Sequence, residues 1–169
     1  KVSLNEVTHW WDASQIYGSN QETQNGLRTR SRGMMKLDKF ASNSMKSDDC
    51  DQDDPNCKVL LPAAGMDIRN NKQNQGYEMT GFRDNWWLGL SMLHTLFVKE
   101  HNSIAKELLK KHAKYDQQKQ QWRWQNGKEV VYLDERQLDE KVFQIARLVN
   151  AAVLAKIHTI EWTPAILPN

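Results

Sequence analysis

At 169 residues the chain is long enough for one domain with a real core. Its 23 Lys and Arg against 21 Asp and Glu leave a formal net charge of +2. Beyond the short Trp122-Arg123-Trp124 there is no basic stripe with interleaved aromatics, which argues against nucleic-acid binding. No apolar run approaches the roughly 20 residues that span a bilayer, and no leader pattern opens the sequence. Because it starts at Lys1, the sequence is expected to be a processed product or an internal piece of a longer protein.

Residues 1–20 are aromatic-rich and end in the turn Tyr17-Gly18-Ser19-Asn20. Within them, Thr8, Trp10, Asp12 and Ser14 alternate along the chain. In an extended segment that period puts all four on one side, with a carboxylate, two hydroxyls and backbone carbonyls as hard oxygen donors. Calcium takes such donors; the plainer reading is that Asp12 caps a short helix or turn. Residues 21–82 are polar with little periodicity and read as a long surface excursion, ordered in short pieces near Val59-Leu60-Leu61 and Tyr77 to Phe82. Cys50 and Cys57 there are either a small disulfide loop, favouring an extracytoplasmic location, or two free thiols. The acidic cluster Asp48, Asp49, Asp51, Asp53 and Asp54 lacks the glycine and closing glutamate of an EF-hand and reads as solvated loop.

From Trp86 the pattern turns helical. Trp86, Leu90, Leu93, Phe97, Ile104 and Leu108 recur at three- and four-residue steps, predicting one apolar stripe on a helix ending near Lys111–His112. Residues 120–133 then read as a β-hairpin around Asn126-Gly127, a surface insertion between helices. A second long helix is predicted to open at Asp134, capped with Gln137 three residues on. Leu138, Val142, Ile145, Val149, Val153 and Ile157 line its predicted face, Ala146, Ala151, Ala152 and Ala155 allow a close neighbour, and Pro164 is expected to end it. The fold class is mainly α, with a polar loop region and a small hairpin.

Of the five histidines, His94 and His101 fall two turns apart on the first helix, too far to share one metal ion directly, and read as satisfied core residues. His112 reads as exposed. His158, followed by Thr163 in an apolar stretch, makes a pair able to offer hydrogen bonds to a carboxylate. No triad order, GxSxG, phosphate loop or zinc spacing is present.

Three stretches together resemble one family. "THWWDASQIYGSN" at 8–20, "NWWLGLSMLHTLFVKEHNSIAKEL" at 85–108 and "ARLVNAAVLAKIHTIEWTPAIL" at 146–167 stand in the order and rough spacing of the animal-type haem peroxidase superfamily. They are most similar to its fatty-acid α-dioxygenase branch and bacterial relatives. The resemblance implies that residues 1–169 are an internal part of one catalytic domain, its central helices, with 21–82 and 120–133 as insertions. It implies Thr8, Trp10 (through its carbonyl), Asp12 and Ser14 as Ca2+ ligands. His158 and Thr163 then become the carboxylate site of a fatty acid, and Arg83 a distal-pocket residue, although its flanks differ from the family's. Trp86 stands where some relatives carry a haem-linking glutamate, so no ester is expected there. Haem b is implied, with the distal histidine before Lys1 and the proximal histidine and radical tyrosine after Asn169. The implied activity is addition of O2 at the α-carbon of a fatty acid by way of a tyrosyl radical. The alternatives are a peroxidase oxidising small donors with H2O2, or a calcium-stabilised helical module without haem. The remaining segments of the same domain are the expected macromolecular partners.

Overall fold

The computed structural model describes residues 10–41, 57–60, 80–81 and 87–167, the side chains of 38–41 and 57–60 apart. Two short helices, α1 (Ser14–Tyr17) and α2 (Gln21–Leu27), come first, then the antiparallel strands β1 (Asp38–Ala41) and β2 (Cys57–Leu60), with Asp38 opposite Leu60. The long helix α3 (Leu88–His112) passes without a loop into β3 (Ala113–Asp116). Strands β4 (Gln121–Asn126) and β5 (Glu129–Leu133) complete an antiparallel sheet in the order β3-β4-β5. Helix α4 (Glu135–Lys156) follows, then a π-helical turn over Ile157–Trp162 and a last helical turn, α5 (Thr163–Ile166). The mainly α class holds.

Several elements depart from expectation. Within residues 21–82 the Asn20 side chain accepts from Thr23 N at 2.8 Å and starts α2, a helix not expected there, while β2 falls on the ordered piece expected near Val59-Leu60 and pairs with β1. Residues 120–133 are not a two-stranded surface insertion. A third strand precedes it, and Trp124 is buried among Ala105, Leu138, Val142 and Ala146. The sheet is thus part of the core, since one indole removes far more apolar surface from water than the other side chains around it. The hairpin loop is Gly127-Lys128, with Gly127 at φ 60°, the arrangement of a type II′ turn. Pro164 does not end the helical run either. It sits in the first turn of α5, where a missing N–H is tolerated, and the chain stays helical to Ile166.

Helix α4 opens as its sequence predicts. Asp134 accepts from Gln137 N at 2.7 Å and its own N–H donates to Gln137 Oε1 at 3.0 Å, a complete capping box. Its buried face is Leu138, Asp139, Val142, Phe143, Ala146, Asn150 and Ala151, so Val149 and Ile157 fall outside the core. On α3 the buried face is Ser91, His94, Val98, His101, Asn102 and Ala105. The predicted stripe lies to one side of it and is only half-buried, with Leu93 49% exposed. Polar groups won the interior at His101 and Asn102 because both have partners across the interface. Asn102, for example, accepts from Met35 N and donates to Met35 O, as a strand neighbour would.

A buried ion pair fastens the segment after α2 to α4. The Arg28 guanidinium donates to Asp139 at 2.7 Å and Glu140 at 2.7 Å, with its carbon 3.9 Å above the Phe143 ring. Burial alone would raise the Glu140 carboxyl, but hydrogen bonds from Gln144 and Arg28 and the charges of Arg28 and Arg30 bring it below the usual range. The other Asp139 oxygen accepts from Gly33 N at 2.6 Å. Gly33 has φ 73°, and a Cβ there would stand 2.6 Å from the Phe143 nitrogen and from Val142 Cγ1. Only glycine meets both demands. Gly33→Ala should therefore destabilise the intact protein by about 2–4 kcal/mol in urea denaturation, from overpacking and left-handed strain together. A loss below 0.5 kcal/mol would show that α4 can move away at little cost.

Candidate substrate cleft

Between the start of the chain and its last helical turns lies a cleft of about 360 Å3. Trp10, Trp11, Ala13 and Gln15 form one wall, Leu93 and Phe97 of α3 a second, and Ala151 and Leu154 of α4 with Ile157, His158 and Trp162 the third. No wall residue carries a carboxylate, ammonium or guanidinium group, and His158 is the one histidine among them. A concave, mostly apolar surface with few polar groups is the usual form of a small-molecule site.

The π-helical turn sets the polar end of this cleft. In an α-helix, residues five apart point about 140° away from each other. Here Thr163 N–H reaches back to the His158 carbonyl, an i→i+5 bond, so residue 163 comes over residue 158. Thr163 Oγ1 also donates to that carbonyl at 2.8 Å and lies 3.4 Å from His158 Nδ1. The ring is held by two indoles, Trp11 edge-on with centroids 4.7 Å apart and Trp162 tilted at 4.8 Å. Trp11 and His158 are 147 positions apart in sequence, and no local pattern announces their contact.

Behind the cleft runs a buried hydrogen-bond chain. A carbonyl only accepts, so His101 Nε2 donates to Gly33 O at 2.8 Å. Nδ1 of the neutral ring is then an acceptor and takes the Tyr17 hydroxyl proton at 2.8 Å. Tyr17 Oη in turn accepts from Asn150 Nδ2 at 2.8 Å, and the same amide donates to Phe97 O at 3.0 Å. Burial is the main reason that His101 is pushed down from 6.5 to about 4; the Gly33 carbonyl opposes this, and the Arg28 charge adds to it. Burial likewise holds the Tyr17 phenol protonated well above the ordinary tyrosine range, outweighing the Asn150 hydrogen bond and the charge of Arg147.

The predicted site residues are thus only partly brought together. His158 lines the cleft with Thr163 beside it, and Trp10 is in the facing wall. The extended geometry expected for residues 8–14 is corrected. Ala13 adopts a left-handed conformation at φ 54°, which breaks the two-residue alternation, and Ser14 already begins α1. Asp12 is exposed and accepts from Ser14 N at 3.0 Å, the turn-closing role, while the Ser14 hydroxyl is buried with no hydrogen-bond partner among the described residues. Thr8, Arg83, Trp86, Cys50 and the acidic cluster lie outside the described residues, and so does the Cys57 side chain. His101 is the satisfied core histidine expected. His112 is half-buried instead of exposed, stacked on Trp124 and bonded to Gln125 O. Sequence reading missed Tyr17, Asn150, Trp11 and Trp162; the only available signal was a polar residue at a buried helical position.

A helical scaffold with an apolar cleft and one polar end has the usual form of a small-molecule site. Comparison with known proteins narrows this. The family model described as animal haem peroxidase matches residues 1–169, and the chain belongs to that family. It is 33% identical over 164 residues to "Alpha-dioxygenase PIOX" of Nicotiana tabacum, covering 97% of this chain and 18% of that protein. "Chorion peroxidase" of Aedes aegypti is 36% identical over 166 residues, 95% of this chain and 16% of its own length. Among solved structures, the fatty acid alpha-dioxygenase of Arabidopsis thaliana superposes with a TM-score of 0.60 at 30% identity, covering 95% of this chain and 18% of that one. The chain thus spans less than a fifth of the length of these relatives.

The His101 chain makes stability depend on pH in a definite direction. Above about pH 6.5 the imidazole is neutral folded or unfolded, and its contribution is complete. Between 6.5 and about 4 the unfolded chain takes a proton that the folded ring refuses, so stability falls as acid is added. Urea midpoints of the intact protein at pH 7.5 and 4.5 should show this loss, and His101→Gln should reduce the slope while lowering stability at both pH values. An unchanged slope in the variant would remove His101 as its source.

Proposed function

We propose that this chain is the substrate-facing part of a haem-dependent oxidoreductase of the fatty-acid α-dioxygenase type. The reading is carried by one observation: in a chain of this family, an apolar cleft ends at an imidazole with a hydroxyl held beside it by a π-helical turn. An acyl chain would lie along the indoles, Phe97 and Leu154, with its carboxyl group at His158. The hydroxyl of Thr163 serves through the ring, since its proton already goes to the His158 carbonyl. Oriented this way, the α-carbon is fixed relative to the carboxyl end, which is what O2 addition next to a carboxyl group requires.

Haem, when bound, supplies the one-electron oxidation that generates the tyrosyl radical. His101 spends both ring nitrogens inside the fold, so it is not offered as an iron ligand; the iron ligands are assigned outside these residues, and Arg83 to the haem's distal side. For Ca2+, two features of the described residues support a site at the start of the chain. Asp12 presents an exposed carboxylate fixed next to Ser14, and the Ser14 hydroxyl is buried without a partner. The ion would rest on Asp12 with the hydroxyls of Thr8 and Ser14 and the Trp10 carbonyl, hard oxygens of the kind calcium takes, although among the described residues no group of three or more His, Cys, Asp or Glu stands together. Bound there, it would brace the indole wall of the cleft. Asp12→Ala in the full-length protein should lower calcium content and Soret absorbance together. Full haem occupancy without calcium would separate the two.

The second reading, a peroxidase oxidising small donors with H2O2, is favoured by the likeness to chorion peroxidase. His158→Ala distinguishes them. It should cut fatty-acid turnover about 10- to 100-fold, the worth of one hydrogen bond to a charged group, and leave oxidation of a small phenolic donor within twofold. Equal losses in both assays would count against a carboxyl site.

A further inference from the structure

Tyr17 and His101 are both fully buried, and a 2.8 Å hydrogen bond joins the phenol oxygen to His101 Nδ1. Burial keeps the phenol protonated and pushes the ring down to about 4, so at neutral pH a phenol that does not ionise faces a base that holds no proton there. Loss of one electron changes this. A phenol radical cation is a far stronger acid than an imidazolium, and its proton then has an acceptor already within hydrogen-bond reach. After that move the same neighbours remain paired. His101 Nε2–H still donates to Gly33 O, Nδ1–H donates to the phenoxyl oxygen, and Asn150 Nδ2 donates to that oxygen as before. The proton can therefore stand at either end of the bond without help from solvent or a shift of the backbone. The imidazolium so formed is buried and feels the Arg28 charge, which makes the oxidised pair easy to reduce again.

We propose that Tyr17 is a redox-active tyrosine that gives up one electron reversibly while His101 keeps its proton. The oxidant is a haem group oxidised by a peroxide, so this step rests on the haem-dependent reading above. In the forward direction the Tyr17 O–H bond breaks, an Nδ1–H bond forms on His101, and one electron passes to the oxidant, which is reduced by one electron. In the reverse direction an electron from a one-electron donor such as a phenol reduces the Tyr17 radical, and the proton returns from Nδ1 to the phenol oxygen. The location suits such traffic. Ala13, Phe97, Ala151 and Leu154 belong to the hydrophobic cluster that holds Tyr17 and also line the cleft, so the phenol stands directly behind the cleft wall. Asn150 ties the two together, donating to both the Tyr17 oxygen and the Phe97 carbonyl.

The test is high-field electron paramagnetic resonance of the full-length, haem-loaded protein, freeze-quenched after hydrogen peroxide is added without substrate. A tyrosyl radical with a strong hydrogen bond should appear, its exchangeable proton coupling replaced in D2O. Tyr17→Phe should remove this signal and leave any radical on another residue. Fluorotyrosine incorporated at position 17 keeps the phenol in place and should add a fluorine splitting, so the assignment does not depend on the variant folding. His101→Gln offers the phenol an oxygen and Gly33 an N–H but binds a proton far more weakly than imidazole, so the Tyr17 radical should be lost. A second arm replaces peroxide with flash-generated ruthenium(III) tris-bipyridine, with persulfate as the terminal electron acceptor, which oxidises with or without haem. A Tyr17 radical in the flash arm alone would overturn the haem-dependent reading and leave the pair redox-active. Spectra without a fluorine-split radical in both arms would overturn the inference, and so would a Tyr17 radical at full yield in His101→Gln.

Discussion

A neutral histidine with one proton to give holds this molecule together. His101 sends that proton to Gly33 and receives one from Tyr17, which is itself held by Asn150. Four segments, α1, the loop after α2, α3 and α4, meet at donors and acceptors whose directions are all determined. Unmatched polar groups in an interior are costly, so none of the four can slide against the others without leaving one unpaired. Gly33 extends the constraint: its amide goes to Asp139, whose other oxygen holds Arg28 over the Phe143 ring. An apolar core alone would fix these helices less uniquely, because dispersion contacts tolerate small shifts that hydrogen bonds do not.

The cleft inherits its shape from this arrangement. Ala13, Phe97, Ala151 and Leu154 belong both to its wall and to the hydrophobic cluster around Tyr17. The Phe97 carbonyl takes the second proton of the Asn150 amide, so the wall is tied from behind by the same side chain that positions Tyr17. The polar end has separate support in the π-helical turn. A site with a rigid apolar body and one independently oriented polar group fits a ligand with a long apolar part and a single head.

Local signals in the sequence were read well. The capping box at Asp134, the hairpin turn at Gly127 and the basic end of α3 each follow from a few adjacent residues, and each is found in place. What was not legible depends on partners far away in the chain. The buried face of α3 lies to one side of the apolar stripe because Asn102 looks like a surface residue until its partner Met35 is known, although His94 and His101 already read as core. The strand β3 escaped notice because Ala113–Asp116 has no alternation of its own and is recruited by pairing with β4. The residue types of His158 and Thr163 suggested a pair, but their proximity could not be read from the sequence, since five is not a helical spacing. The π-helical turn is the physical reason that the pair meets at all.

That turn has a consequence for how the chain can vary in length. A π-helical turn holds one residue more than the α-helical path through the same space, and the surplus residue lies somewhere between Ile157 and Trp162. Losing a single residue between His158 and Thr163 would leave a continuous α-helix with the two four positions apart, and four steps of about 100° bring a side chain back to within about 40° of a full turn. Thr163 would stay on the face of His158, and the later side chains would keep their directions. Related chains can therefore carry these two residues four or five positions apart and still present the same pair, because the turn absorbs a gap of one position.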